Sequence, residues 1–247
     1  MDDLTLLARD KYDGDADRIT PEDRARLDSG EPLAYVIGWV PFLGLRIELA
    51  SKPLIPRPET EWWTELAIEH VREGKSSGEF RVLDLCAGSG AIGLALLHAL
   101  PAIQVSFSEL VPKHAEQIRT NLSLPENRLD YARANIRTSD LFSAFGDTRF
   151  DLIVTNPPYI PEARTLENSV TDFEPSEALF SGPDGLDVIR RIAKEAPAHM
   201  HSGGELWMEC DVETISEVAR LLREGGALRT DIRTDLYGRE RVVVAYY

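Results

Sequence analysis

The sequence predicts an α/β protein built on a doubly wound sheet, and three observations carry that prediction. Arg81 to Leu85 reads as a short buried strand, Cys86-Ala87-Gly88-Ser89-Gly90 as a tight loop of small residues, and Ala91 to Leu100 as an apolar helix stopped by Pro101. Strand, glycine loop and helix in that order form the nucleotide-binding opening of such sheets. The apolar run Phe150 to Thr155 reads as a second buried strand, ending in Asn156-Pro157-Pro158-Tyr159. Between the two, Glu109 and Asp140 fall at the predicted ends of intervening strands. Ligands of open α/β sheets bind at those carboxyl ends.

The remaining elements follow in order. Residues 1–31 read as one or two short helices, with Thr20-Pro21-Glu22-Asp23 as a helix start. Residues 34–49 alternate between apolar and other residues, broken at Pro41 and Gly44, and predict a β-hairpin. Pro53 to Pro58 is an extended proline-rich passage. Pro58 opens a helix with Glu59 and Glu61 near its positive end, and Trp62, Trp63, Leu66, Ile68 and Val71 give it an apolar side. Gly74 to Gly78 reads as a linker into the main sheet. Strands are expected over Gln104–Ser108, Glu205–Cys210, 227–234 and 241–247, and helices over 186–200 and Val212–Arg223. The last two strands are expected to be antiparallel, joined through Tyr237-Gly238. The stretch from Tyr159 to about Gly185 has little periodicity; its length and position suggest a lid.

Four sites give the chain its chemistry. Gly88 and Gly90 leave room for a ligand against the backbone, but the spacing is not that of a dinucleotide fingerprint. Glu109 lies 19 residues after Gly90, where an acid can accept from both ribose hydroxyls. Asp140 can accept from an adenine amino group. Asn156 offers a side-chain oxygen and Pro157 a carbonyl, and neither proline contributes an N–H. With the ring of Tyr159 beside them, these acceptors suit a planar conjugated –NH2, either a carboxamide or the amine of adenine. An adenosine ligand without a pyrophosphate points to S-adenosyl-L-methionine. Taken singly, each feature has a plainer reading: Glu109 and Asp140 as solvated acids, Asn-Pro-Pro as a loop starter. Their order along the chain favours the site.

Composition bounds the alternatives. The 247 residues are 43% apolar and carry 27 basic and 42 acidic side chains, a net charge of −15. Phosphate backbones are gripped by Lys and Arg, so a nucleic-acid partner is disfavoured. No run is long enough to span a membrane. The first 31 residues hold ten acids and five bases, unlike a signal or transit peptide. Cys86 and Cys210 are the only cysteines and have no paired spacing, which fits free thiols in a reducing cytoplasm. No metal site is expected; His199 and His201 read as a surface pair.

The order Tyr35-x-x-Gly38, Phe42-x-Gly44 and Leu54-Ile55-Pro56-Arg57-Pro58-Glu59-Thr60-Glu61 resembles the HemK/PrmC family of N5-glutamine methyltransferases. So do Leu83 to Gly90, Asn156 to Ile160, Glu174-Pro175-x-x-Ala178-Leu179 and Gly182-x-Asp184-Gly185-Leu186. The resemblance covers about residues 30–247. It implies a seven-stranded class I, Rossmann-like methyltransferase sheet over 51–247 with an antiparallel last strand. Residues 1–50 would form a shortened substrate-docking region of helices and hairpin. It implies S-adenosyl-L-methionine as cofactor, held by Asp84, Cys86, Ala87, Gly88, Ser89, Gly90, Glu109, Asp140, Leu141 and Asn156. It implies a peptide chain release factor as protein substrate, with the glutamine of its Gly-Gly-Gln loop held by Asn156, Pro157, Pro158 and Tyr159. Asn156, Pro157 and Tyr159 would form the catalytic corner. Arg57 would either touch substrate backbone or pair with a nearby acid. The chain departs from the family pattern at Cys86-Ala87, where Gly-Thr is commoner, and at Glu109, where Asp is usual. The rival readings are a ribosomal-protein glutamine methyltransferase, an N6-adenine methyltransferase and an inactive cofactor-binding module.

Overall fold

The computed structural model describes residues 1–74, 79–235 and 237–247; most of the expected 74–78 linker lies outside them. The chain opens with helices α1 (Asp3–Lys11), α2 (Pro21–Asp28) and α3 (Leu33–Ile37). Thr20 and Asp23 form a reciprocal capping box at the start of α2, with Pro21 at its first turn. A small apolar cluster of Leu7, Ala8, Ile19 and Val36 holds these helices together.

The hairpin is shorter than its alternation suggested. It comprises β1 (Trp39–Phe42) and β2 (Leu45–Glu48), while Leu33–Ile37 is helical and ends at Gly38 with φ 98°. Five residues are too few for periodicity to separate helix from strand, and here Tyr35 and Val36 bury into two different clusters. The turn residues Leu43 and Gly44 both have positive φ, as a two-residue hairpin with the strands' own twist requires. The outer edge of β2 is covered by side-chain amides. Asn127 exchanges two hydrogen bonds with the backbone of Arg46, both 2.9 Å, and Asn121 does the same with Glu48 at 2.8 and 3.2 Å. Gln117 accepts from the amide of Ser51 at 3.0 Å. These carboxamides stand in for a neighbouring strand on an edge that would otherwise be open.

Helix α4 (Pro58–Glu73) follows the proline passage and buries Trp63 completely, with Trp62 only half-buried. The main sheet then runs β3 (Phe80–Leu85), α5 (Ala91–Ala99), β4 (Ile103–Glu109), α6 (Pro112–Ser123), β5 (Ala134–Thr138) and β6 (Phe150–Thr155). After a short helix, α7 (Asn168–Thr171), come α8 (Asp187–Glu195), β7 (Met200–Glu209), α9 (Ile215–Glu224), β8 (Arg229–Thr234) and β9 (Glu240–Tyr246). The seven strands lie in the order β5-β4-β3-β6-β7-β9-β8, with β9 antiparallel to both neighbours and β3 to β7 parallel to one another. Strand order reverses between β3 and β6, and the crevice beyond their carboxyl ends is where such sheets place ligands. Large apolar clusters line the two faces of the sheet, and β3 feeds alternate residues to each: Val82 to one, Leu83 and Leu85 to the other. Among the described residues no helix is long and apolar enough to cross a membrane.

Gly93, inside α5, packs directly against the sheet. A Cβ there would lie 2.4 Å from the ring of Phe107 and 2.8 Å from Oδ2 of Asp84, which accepts the Gly93 N–H. Gly93→Ala should therefore destabilise the fold by about 2 kcal/mol despite alanine's better helix propensity, because overpacking outweighs it. Urea unfolding measures this, and an unchanged or raised midpoint would contradict the packing described.

Candidate active site

The strand ends of β3, β4 and β6 open onto one cleft, which encloses about 1050 Å³ of non-protein space continuous with solvent. Cys86, Ala87, Gly88 and Ser89 form one wall, Glu109 and Leu110 another, Asp140 and Leu141 a third. Asn156 and Pro158 reach it from the end of β6, and Arg57 and Thr60 from the start of α4. Gly90 and Asp84 lie behind the loop. A Cβ on Gly90 would meet Ile118 of α6 at 2.9 Å, so this glycine serves helix packing. Asp84 is fully buried and accepts the Gly93 N–H at 2.8 Å, tying α5 to β3 beneath the cleft. Both therefore support the loop from within and neither lines the cleft.

The loop reverses tightly: Cys86, Gly88 and Gly90 all have positive φ, between 58° and 81°. Glu109 braces it. One carboxylate oxygen accepts the Gly88 N–H at 2.7 Å and the other the Val111 N–H at 2.8 Å. Each oxygen keeps a second lone pair for a hydroxyl donor. Burial pushes the Glu109 pKa upward, against the pull of those amides. Burial also pushes the Cys86 thiol up to about 12, so it stays protonated and is a poor nucleophile. Asp140 is half-exposed and pairs with Arg191 of α8 at 3.0 Å, a partner that sequence spacing did not suggest. Leu141 turns with φ 48°, its carbonyl accepting from the hydroxyls of Ser108 and Ser139.

Beyond Asn156 lies a second compartment. Leu54, Arg57, Asn156 and Ala178 border both spaces, while Tyr159, Ile160, Leu166, Val170 and Leu179 line only the second. Arg57 pairs with Glu174, whose carboxylate is almost wholly buried and also accepts the Ile55 N–H at 3.1 Å. The acid alternative for Arg57 is the one seen. Glu174 thereby fastens the segment after Tyr159 to the proline passage. That segment closes on itself: Ile160 and Phe180 form a bridge, with Ile160 N–H donating to the Leu179 carbonyl at 2.9 Å. Gly185 (φ 79°) packs so close that a Cβ would sit 2.3 Å from the Tyr159 carbonyl oxygen. Pro157 and Pro158 are buried, and Tyr159 is half-buried with its hydroxyl 3.3 Å from Glu209.

Two residues of the corner escaped the sequence reading. Thr60 lay within a helix start, and Glu209 ends the apolar run Leu206-Trp207-Met208. An acid closing such a run was the same signal that marked Glu109. Among the described residues no cluster of His, Cys, Asp and Glu could hold a metal ion.

The chain is 36% identical over 237 residues to the release factor glutamine methyltransferase of Deinococcus radiodurans, covering 93% of this chain and 82% of that one. The chain belongs to the release factor glutamine methyltransferase family. The Vibrio cholerae release factor glutamine methyltransferase is 38% identical over 225 residues, 90% of this chain and 76% of its relative. Residues 62–174 match the model of the methyltransferase small domain. A methyltransferase structure from Pyrococcus furiosus shares the fold, with a TM-score of 0.58 at 15% identity, over 92% of this chain and 98% of that one.

His114 lines the cleft and adds a pH-sensitive contact. Its Nδ1 lies 2.8 Å from the Ser51 hydroxyl, and its Nε2 is buried with no hydrogen-bond partner among the described residues. Burial, with some help from Lys113, holds its pKa down to about 4, so the folded ring is neutral where an unfolded histidine takes up a proton near 6.5. Between those values the unfolded chain binds the extra proton, so this contribution to stability falls as pH drops from 6.5 to 4. Urea unfolding of the parent and His114→Gln should show their free-energy difference shifting against the parent by up to about 1.4 kcal/mol per pH unit in that window. A pH-independent difference would contradict a neutral buried ring.

Proposed function

We propose that this protein transfers a methyl group from S-adenosyl-L-methionine to the side-chain amide nitrogen (N5) of the glutamine in the Gly-Gly-Gln motif of peptide chain release factors. The observation that carries this reading is the meeting of two compartments at Asn156, one bordered by the glycine loop and strand-end acids, the other by Tyr159. Family membership supplies the substrate class.

The cleft suits the cofactor on its own chemistry. Glu109 has free lone pairs for ribose hydroxyls, and Gly88 has open space where a Cβ would stand. Leu110 is a large, exposed apolar side chain at the cleft wall, suited to the face of a base. Asp140 can accept from an amino group while keeping Arg191. When bound, S-adenosyl-L-methionine supplies an electrophilic methyl group.

The chain's own residues deal with the nucleophile. A carboxamide nitrogen is weak because its lone pair is delocalised into the carbonyl. Asn156 Oδ1 and the Pro157 carbonyl accept its two N–H hydrogens, which pushes electron density onto nitrogen and fixes its direction. Proline at 157 and 158 keeps competing N–H donors out of the corner. Tyr159 walls the substrate side, its hydroxyl tied back to Glu209. The amide N–H becomes acidic as nitrogen is alkylated, so no strong resident base is required, and Asn156, Pro157 and Tyr159 supply none. An adenine amine would fit the same acceptors, but a net charge of −15 gives a polynucleotide little to bind. The two cysteines are both free, in keeping with a cytoplasmic protein acting on a translation factor.

Mass spectrometry of an unmodified bacterial release factor, incubated with the protein and S-adenosyl-L-methionine, tests this. One added methyl on the Gly-Gly-Gln glutamine is expected. Asn156→Ala should lower turnover by about 10²–10³-fold, far more than it weakens cofactor binding. No transfer by the parent, or full activity in the variant, would contradict the reading.

A further inference from the structure

We propose that Thr60 and Glu209 are positioning residues that hold the Asn156 carboxamide with its oxygen, rather than its nitrogen, toward the substrate amide. This rests on the acceptor role of Asn156 proposed above. An asparagine carries an acceptor and a two-hydrogen donor on one flat group of nearly equal halves, so rotation by half a turn exchanges them. The flipped form would present N–H to an incoming N–H and lose the acceptor.

The donors in the network decide the orientation. Trp63 Nε1 lies 2.7 Å from Oε2 of Glu209, and an indole N–H can only donate. Oε2 must therefore accept. The Thr60 hydroxyl is also 2.7 Å from Oε2, so its single hydrogen is committed there. Toward Asn156 the hydroxyl then offers lone pairs alone, and only the amide nitrogen can face it, at 3.3 Å. The Asn156 oxygen is left to the opposite side of the carboxamide.

The same logic holds for an ionised Glu209 and for one protonated on Oε1, because both leave Oε2 an acceptor. Oε1 faces the Tyr159 hydroxyl at 3.3 Å, away from Thr60 and Trp63. Thr60 is 4% exposed and Glu209 2%, so water does not compete for these bonds. The arrangement spans three parts of the chain: α4, the corner after β6 and the end of β7. Nothing in it needs Glu209 to touch substrate.

The experiment compares Thr60→Val, Thr60→Ser and Asn156→Ala, alone and with Thr60→Val placed in the Asn156→Ala background. Valine matches threonine in shape but removes the hydroxyl and frees the amide to flip. Thr60→Val is expected to lower kcat by about 10–100-fold, as misplacement of a reacting partner does, with KM for the release factor and cofactor Kd nearly unchanged. Thr60→Ser restores the hydroxyl and should restore most of kcat. In the Asn156→Ala background, Thr60→Val should have no further effect on kcat, since no carboxamide remains to orient. A Thr60→Val enzyme within about threefold of the parent, beside an inactive Asn156→Ala, would overturn the inference and leave the acceptor reading standing. So would an equal loss in both backgrounds, which marks a structural role only. Full activity in Asn156→Ala would overturn the acceptor reading itself, and this inference with it.

Discussion

A carboxylate with no access to water governs the architecture of this site. Glu209 closes β7 inside the protein, where an unpaired carboxylate would be prohibitively costly. It is tolerated because Thr60, Trp63 and Tyr159 all bring hydrogens to it. Those hydrogens come from α4 and from the segment leaving β6, so satisfying one acid fixes the helix and the Asn-Pro-Pro-Tyr corner against the end of one interior strand. Burial raises the pKa of Glu209, and the Thr60 and Trp63 bonds pull it back toward ionisation. Removing any one donor leaves the rest of a buried polar network short, and such networks lose more than the sum of their parts.

The sheet sets the complementary constraint. Reversal of strand order between β3 and β6 makes a crevice, and the residues leaving the strands on either side line it. The glycine loop is held open by Glu109 from the neighbouring strand, by Asn121, which donates to the Ser89 carbonyl at 3.0 Å, and by Gly90 against α6. Asn121 also bonds β2, so the N-terminal hairpin and the glycine loop share an anchor. Through Glu174, the proline passage is joined in turn to the segment that walls the second compartment. The corner is thereby tied through hydrogen bonds and ion pairs to α4, the proline passage and β7.

Much of this was legible in the sequence because it depends on local signals. Apolar runs, small-residue loops and prolines located β3, the glycine loop, α5, β6 and the start of α4. The strand-end acids Glu109 and Asp140 fell on the cleft wall for the same reason. What the sequence withheld are partners distant along the chain. Thr60 and Glu209 are 149 residues apart, and Arg57 and Glu174 are 117 apart. No periodicity links them. Asp84 and Gly90 sit in the expected motif, and their packing against Gly93 and Ile118 is visible only in three dimensions. Leu33–Ile37 misled because a single helical turn and a strand share the same short apolar pattern.

The central claim is that Asn156 receives the substrate amide between the two compartments. A crystal structure of the protein with S-adenosylhomocysteine and a Gly-Gly-Gln peptide tests it most directly. The account predicts the glutamine amide nitrogen within hydrogen-bond distance of both Asn156 Oδ1 and the Pro157 carbonyl, with the Asn156 nitrogen still on Thr60. A glutamine bound elsewhere, or an Asn156 carboxamide turned with its nitrogen to the substrate, would contradict it.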